Sequence, residues 1–275
     1  MGSPVLGHSP EQLLAPLAAR YAPWLGLPAQ AAAEISTAEI SDEDADSVRA
    51  MPLILRMERD ALPPRSALLA AAASAAVALC LDERAEPGGS WHPEIAPWLA
   101  GRIRKVARRA RGAHWQAVGE LPGLTVEYQG AQVRALLPWR VAETPKVVTR
   151  LQVGGTDVPQ DDPGAPPETG PVLWLAPQPM TAGKAAAQVG HATMLLAALL
   201  AAGGRGTDLD RWAADGYRCA VRTASRAGWT RLAPGEDPGR AWRERGLVAV
   251  RDAGFTEVAP GTVTVAAVFT PSGSP

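Results

Sequence analysis

A strand, a proline-containing turn and an alanine-rich helix occur twice in this chain. The stretch PLILRMERDALPPRSALLAAAASAAVALCL (52–81) aligns without gaps with PVLWLAPQPMTAGKAAAQVGHATMLLAALL (171–200). Self-similarity at a fixed spacing indicates a repeated structural unit. The alignment therefore predicts two copies of one α/β unit within the 275 residues, rather than one large domain.

Two further blocks extend the repeat in the same order. In the first, Trp98, Arg104, Arg108 and Trp115 align with Trp212, Arg218, Arg222 and Trp229. In the second, Pro145, Val148, Thr149 and Val153 align with Pro260, Val263, Thr264 and Val268. The paired tryptophans are the strongest evidence for the repeat, because alanine-rich stretches also align by chance. The alternative is that the whole alignment is due to chance.

The segment GTDVPQDDPGAPPETG (155–170) has the composition of a linker, since it is rich in Pro, Gly and Asp. It separates an N-terminal copy (51–154) from a C-terminal copy (171–270) and a short tail (271–275). Residues 1–50 are an N-terminal extension, helical at 10–22 and poorly ordered at 28–47.

Strands alternate with helices in the C-terminal copy, which predicts an α/β fold with a mixed sheet. Thr181 is the expected N-cap of a long helix over 181–201, and one or two short helices follow within 225–246. The alignment of the copies makes the basic run RIRKVARRAR (102–111) a strand that enters a helix. The predicted strands are 171–176, 217–223, 247–252 and 262–269.

Composition narrows the class of protein. No uninterrupted apolar run reaches the roughly 18 to 20 residues of a membrane span, and the N-terminus lacks a signal peptide pattern. Two cysteines without a partner motif argue against a disulfide framework and against a zinc site. We expect a cytoplasmic protein. Its net charge of −1 does not by itself indicate a nucleic-acid partner.

Three polar side chains interrupt the long apolar helix. Lys184, Gln188 and His191 follow a helical spacing and share one face. The lysine lies in the first turn, where the helix dipole disfavours a cation, so its charge is expected to meet an anion or a developing negative charge. The alternative is that all three are boundary residues of a core helix.

Two motifs together resemble the type 2 peptidyl-tRNA hydrolases. These are GKAAAQVGHA (183–192) and DAGFTEVAPGTVT (252–264), in the family's order and at a fitting separation. The resemblance covers about 171–270. It implies a three-layer α/β/α fold, a site without metal or cofactor, and hydrolysis of the ester that joins a peptide or N-blocked amino acid to the 3′ end of tRNA.

The resemblance also assigns residues. Lys184, Asp252, Thr256 and Thr264 match the catalytic positions, with Lys184 expected to stabilise the oxyanion and Asp252 to orient or deprotonate water or to hold the lysine. The threonines would supply hydroxyl groups. Expected contacts to substrate or tRNA come from Gln188, His191, Thr262, Arg102, Arg104, Lys105 and Arg108.

Departures from the family pattern cluster at the expected substrate entrance of the site. Its usual polar residues are replaced by Leu175, Pro177, Ala182 and Phe255, which puts tRNA affinity in doubt more than the chemical step. The N-terminal copy departs further from the family motifs. Its residues opposite Lys184, Asp252, Thr256 and Thr264 are expected to be Arg65, Leu137, Val141 and Thr149.

We therefore expect two tandem three-layer α/β/α domains with mixed sheets, arranged as a pseudo-dimer whose N-terminal half is catalytically inactive and whose C-terminal half is active. The basic strand of that half would supply phosphate contacts, and the chain would be monomeric or dimeric. Two rival functions remain: a non-catalytic tRNA- or RNA-binding protein, and a hydrolase of a different acyl or amide bond.

Overall fold

The computed structural model describes residues 10–26, 31, 34, 44, 46–234, 237–252 and 257–271. These residues contain two four-stranded mixed sheets, one in each half of the chain. The fold is therefore α/β, as predicted. The segment predicted to be poorly ordered, 28–47, lies largely outside the described residues.

The N-terminal half follows a helix, α1 (Pro10–Gly26), and has four strands and four helices in its described part. In chain order they are β1 (Met51–Arg56), α2 (Arg65–Cys80), α3 (His92–Ala100), β2 (Lys105–Ala110), α4 (Gly112–Gly119), β3 (Gly123–Tyr128), β4 (Ala131–Leu136) and α5 (Lys146–Thr149). A separate apolar cluster, which includes Ile54, Val118 and Val148, packs α4 and α5 on the face of the sheet.

The C-terminal half has the predicted strands, the long helix and both short helices, together with α7, which was not predicted. Its elements are β5 (Gly170–Leu175), α6 (Ala182–Ala202), α7 (Gly206–Ala214), β6 (Ala220–Thr223), α8 (Arg226–Leu232), α9 (Pro238–Arg245), β7 (Leu247–Arg251) and β8 (Val263–Thr270).

The two sheets have the same topology. Their strand orders are β2-β1-β4-β3 and β6-β5-β8-β7. In each, the first pair is parallel and the other two pairs are antiparallel. Equivalent tryptophans even make equivalent hydrogen bonds, because Trp98 Nε1 donates to the carbonyl of Arg104 (3.1 Å) and Trp212 Nε1 to that of Arg218 (2.8 Å).

The third block of the sequence repeat is wrong. Val148 and Thr149 lie in the short helix α5, whereas their aligned partners Val263 and Thr264 lie in β8. The true counterpart of β8 is β4, because Leu53 pairs with Ala135 and the equivalent Val172 pairs with Val268.

When the paired residues of the two hairpins are matched, Gln129 is equivalent to Asp252 and Ala131 is equivalent to Thr264. Leu137, Val141 and Thr149 are therefore not the counterparts of the site residues. Gln129 and Gly130 form a tight turn with positive φ, where the other half has a long loop. The N-terminal half therefore lacks a carboxylate at this position, as expected, but the residue there is Gln129 and not Leu137.

The long helices α2 and α6 join the halves. They pack against each other, and each also contacts both sheets, since α2 reaches β6 of the C-terminal sheet and α6 reaches β1 and β2 of the N-terminal sheet. Thr193 Oγ1 in α6 donates to the carbonyl of Ala73 in α2 (2.8 Å), and Ser74 Oγ donates to that of Tyr217 (2.8 Å). One apolar core spans both halves. By length and composition α6 could span a membrane, but most of it is buried in this core.

The N-terminal helix α1 packs on both halves. Leu14 and Leu17 are buried, and the hydroxyl of Tyr21 accepts a hydrogen bond from the backbone N–H of Ala249 (2.9 Å). The neighbouring Arg20 donates to the carbonyl of Leu99 (2.7 Å). This helix is therefore part of the folded unit rather than a loose extension.

The linker contains no helix or strand before Gly170, but it lies across the N-terminal ends of both long helices. The carbonyl of Thr156 accepts from Ala182 N (3.1 Å) and its hydroxyl accepts from Gly183 N (3.1 Å). Asp161 accepts from Ser66 N (2.9 Å). Unpaired N–H groups at the start of each helix are thereby satisfied by the linker.

Candidate active site

The strand order brings Lys184 and Asp252 to the same edge of the C-terminal sheet. Strands β5 and β7 are both antiparallel to β8, which lies between them, so their carboxyl ends point the same way. Lys184 lies in the first turn of α6, shortly after β5, and Asp252 directly follows β7.

The two side chains form a buried ion pair. Lys184 Nζ lies 2.6 Å from Asp252 Oδ2, and their side chains are 10% and 7% exposed. The same oxygen accepts a second hydrogen bond from Gln188 Nε2, at 2.7 Å. Two of the three polar groups on the α6 stripe therefore converge on one carboxylate oxygen.

Thr264 sets the orientation of the Gln188 amide. Its hydroxyl donates to Gln188 Oε1 at 2.5 Å, so the amide nitrogen must face Asp252. Thr264 is the extra residue of an irregularity in β8, where Val250 pairs with Val265 but Arg251 pairs with Val263. Such a bulge redirects a side chain, and here it turns Thr264 toward α6.

The backbone holds Asp252 at both of its peptide groups. Its N–H donates to the carbonyl of Thr262 (2.8 Å), and its carbonyl accepts from Gly261 N (2.8 Å). Gly261 has φ +78°, a conformation that favours glycine. Thr262 is half-buried beside Asp252. The predicted Thr256 lies outside the described residues, as does Phe255.

Two residues hold the start of α6, of which sequence reasoning predicted Thr181 and missed Glu257. Thr181 Oγ1 accepts from Lys184 N (3.1 Å), which makes Thr181 the N-cap, as predicted. Glu257, within the second motif, accepts from both the N–H (2.8 Å) and the hydroxyl (2.6 Å) of Thr181. The loop after Asp252 is thereby fixed to the turn that carries Lys184.

The motif glycine Gly183 is required by a close contact with the linker. A Cβ atom at this position would lie 2.7 Å from Thr156 Oγ1 and 3.4 Å from the side chain of Ala107. A larger residue would displace Thr156, which is 1% exposed and satisfies two N–H groups of the first turn.

Replacing Thr181 by valine is expected to lower the free energy of unfolding by about 1 kcal/mol, because the N-cap hydrogen bond is lost. Urea denaturation of Thr181→Val beside Thr181→Ser measures this difference. Serine keeps the hydroxyl and should match the wild type within about 0.5 kcal/mol. Equal losses in both variants would contradict the capping role.

His191 does not join the other polar groups of the stripe. Its Nδ1 lies 3.1 Å from Lys105 Nζ of strand β2 in the other half. Lys105 Nζ also donates to the carbonyl of Ile103 (3.3 Å) and lies 5.0 Å from the centre of the Trp98 ring. Burial, with the charges of Lys105 and Lys184, lowers the pKa of His191 well below its ordinary value, which indicates a neutral imidazole that accepts from Lys105.

Stability is expected to rise between pH 7 and pH 9 because of Lys105. Burial lowers its pKa from 10.5 to about 7, so across this interval the unfolded chain binds a proton that the folded protein has lost. Above pH 9 the buried thiols of Cys80 and Cys219 act in the opposite direction, because burial raises their pKa to about 12.

Chemical denaturation of the wild type and of Lys105→Met at pH 7 and pH 9 measures the contribution of Lys105. The rise should be much smaller in the variant. An equal rise in both proteins would show that Lys105 keeps its ordinary pKa.

The other basic residues in and just before β2 differ in their internal contacts and burial. Arg108 Nη1 donates to the carbonyls of Leu151 (2.7 Å) and Thr149 (3.3 Å), both in its own half. Arg102 and Arg104 are half-buried. Lys105 and Arg108 therefore have internal partners, and a role for this strand in phosphate binding stays a prediction.

The site offers a cation and a carboxylate with an ordered amide and hydroxyl behind them. Ammonium N–H groups stabilise a developing oxyanion, and a carboxylate beside them positions water. Within the described ranges, no three His, Cys, Asp or Glu side chains lie close enough to hold a metal ion. The arrangement suits hydrolysis of an ester by directly attacking water.

Comparison with known families agrees with this chemistry. Residues 175–273 match the family model described as peptidyl-tRNA hydrolase PTH2. The match begins at the end of β5 and contains Lys184, Asp252 and Thr264. No curated protein and no solved structure matched the chain.

Proposed function

We propose that this chain hydrolyses the ester bond between a peptide, or an N-blocked amino acid, and the 3′ end of tRNA, a proposal supported by the match of residues 175–273 to the PTH2 peptidyl-tRNA hydrolase family model. The observation that carries the proposal is the buried Lys184–Asp252 ion pair, in which residues from both sequence motifs meet at 2.6 Å.

Lys184 acts on the carbonyl oxygen of the ester. As water adds to the carbonyl carbon, negative charge develops on that oxygen, and an ammonium held in a water-poor site stabilises it more strongly than solvent does. An ammonium has three N–H donors, so Lys184 can bind Asp252 and the substrate oxygen together. The capped first turn of α6 fixes its position.

Asp252 holds Lys184 and orients the attacking water. Its Oδ2 accepts hydrogen bonds from both Lys184 and Gln188. Gln188 is in turn oriented by Thr264. Thr256 and Thr262 would line the water and the substrate, and His191 supports α6 through Lys105.

The partner implied by this reaction is tRNA, and the place of action is the cytoplasm. Candidates for phosphate contacts are Arg102 and Arg104, which precede β2, together with Lys105 and Arg108 of β2, which also bind internal groups. Contacts to phosphate weaken as salt rises, so KM should increase steeply with salt while kcat changes little.

The test is release of the acyl group from N-acetyl-aminoacyl-tRNA by purified protein. The matched substrates are the same aminoacyl-tRNA with its amino group unblocked and a small N-acetyl amino acid ester. Preference for the blocked tRNA ester supports the proposal. Equal rates on the small ester would indicate a different acyl hydrolase, and salt-sensitive tRNA binding without release would indicate an RNA-binding protein.

A further inference from the structure

We propose that Arg65 of the N-terminal half is a positioning residue for the active site of the C-terminal half. Its effect on catalysis rests on the proposed function. Arg65 is the residue of α2 that aligns with Lys184 of α6. The N-terminal half offers it no equivalent of Asp252, because Gln129 at that position is exposed in a tight turn.

Arg65 reaches into the other half instead. Its side chain is buried, with the residue 4% exposed. Arg65 Nη2 donates to the carbonyl of Met180 at 2.8 Å, and Nη1 donates to that of Val158 in the linker at 3.4 Å. Met180 directly precedes Thr181, the N-cap of α6. Arg65 therefore holds the turn whose next residues carry the catalytic lysine.

The charges around Arg65 support the same role. Asp157 and Asp161 of the linker and Glu257 act electrostatically on its guanidinium. Glu257 is also the residue that binds both polar groups of Thr181. One cation thus faces the linker and the loop of the second motif, at the point where both meet the start of α6.

Packing alone does not explain an arginine here. Arg65 Nε is buried and has no hydrogen-bond partner in the part of the chain that the structure describes. A buried donor without a partner is unfavourable, and an apolar side chain of similar length would avoid it. The contacts that the arginine does make all act on the turn before α6 and on the linker across it.

Replacing Arg65 by methionine should lower kcat by about 10- to 100-fold, because small displacements of a catalytic group have effects of this size. KM should stay within about twofold, since Arg65 does not bind the substrate. Arg65→Lys should retain part of the activity. Millimolar guanidinium chloride should restore part of the activity to Arg65→Ala, whose small side chain leaves room for the cation, whereas sodium chloride at the same ionic strength should not.

The matched control is Arg134→Met. Arg134 is half-buried and likewise makes two hydrogen bonds through its guanidinium, to Thr125 Oγ1 (2.9 Å) and the carbonyl of Leu121 (2.5 Å), all within the N-terminal half. It should leave kcat unchanged. Equal losses of kcat in the Arg65 and Arg134 variants, or loss without rescue by guanidinium, would show a merely structural role and overturn the proposal.

Amide hydrogen exchange decides the question even if the wild type releases nothing from tRNA. In Arg65→Met the N–H groups of residues 182–185 should exchange faster, while those in the middle of α2 and α6 stay protected. Unchanged exchange at 182–185 would overturn the positioning role. Faster exchange there, with an inactive wild type, would instead refute only the proposed hydrolase activity.

Discussion

Replacing Lys184 by alanine is expected to lower kcat by about 10²- to 10³-fold, the usual effect of removing one donor that stabilises an oxyanion. The variant loses the ammonium that faces both Asp252 and the substrate carbonyl. KM should change little, because the interaction forms mainly in the transition state. Steady-state kinetics on N-acetyl-aminoacyl-tRNA provide the measurement.

The chain offers a matched control for this variant. It contains three lysines, and Lys146 is exposed in the short helix α5 of the N-terminal half. Lys146→Ala should keep the wild-type kcat. Lys184→Arg should stay impaired, because a planar guanidinium does not reproduce a compact ammonium held 2.6 Å from one carboxylate oxygen. Full activity in Lys184→Ala would remove the lysine from the mechanism.

Replacing Asp252 by leucine is expected to lower the free energy of unfolding by about 3 kcal/mol, because it leaves a buried cation without its partner. Lys184 and Gln188 both donate to Asp252 Oδ2, and both are largely buried. Denaturant unfolding monitored by tryptophan fluorescence measures the loss. The exposed pair Arg218–Asp215 supplies the control, since Asp215→Leu should cost less than about 0.5 kcal/mol.

A double variant separates stability from catalysis. In Lys184→Met with Asp252→Leu, no charge remains buried at the site, so most of the lost stability should return, as it does when buried pairs are replaced by apolar side chains. Activity should stay absent. If the double variant were as unstable as Asp252→Leu alone, the ion pair would not be the source of the effect.

Local patterns predicted the fold where they were long and regular. The strand and helix of each copy, including the N-cap Thr181, followed from apolar runs and a capping residue. The last block failed because the hairpins differ in length. A two-residue turn at Gln129 and Gly130 replaces the long loop after Asp252, so an alignment at nearly constant spacing matched strand β8 with the helix α5.

The two motifs predicted the central residues of the site. Residues that contact the site only through long-range packing were missed. Lys184 and Asp252 came from two separate motifs, and the strand order then explains why they meet. Glu257 and Thr156 gave no signal, because their contacts depend on the path of a loop and a linker. The basic run at 102–111 indicated a charged surface, but the sequence could not show that Lys105 turns inward to His191.

The most direct test of the central claim is the initial rate of acyl release from N-acetyl-aminoacyl-tRNA, measured for the wild type beside Lys184→Ala and Asp252→Asn. Both variants should be folded by circular dichroism and should bind tRNA as the wild type does. We expect turnover by the wild type that collapses in both variants. Release that persists undiminished in either variant would contradict the assignment of the Lys184–Asp252 pair as the hydrolytic site.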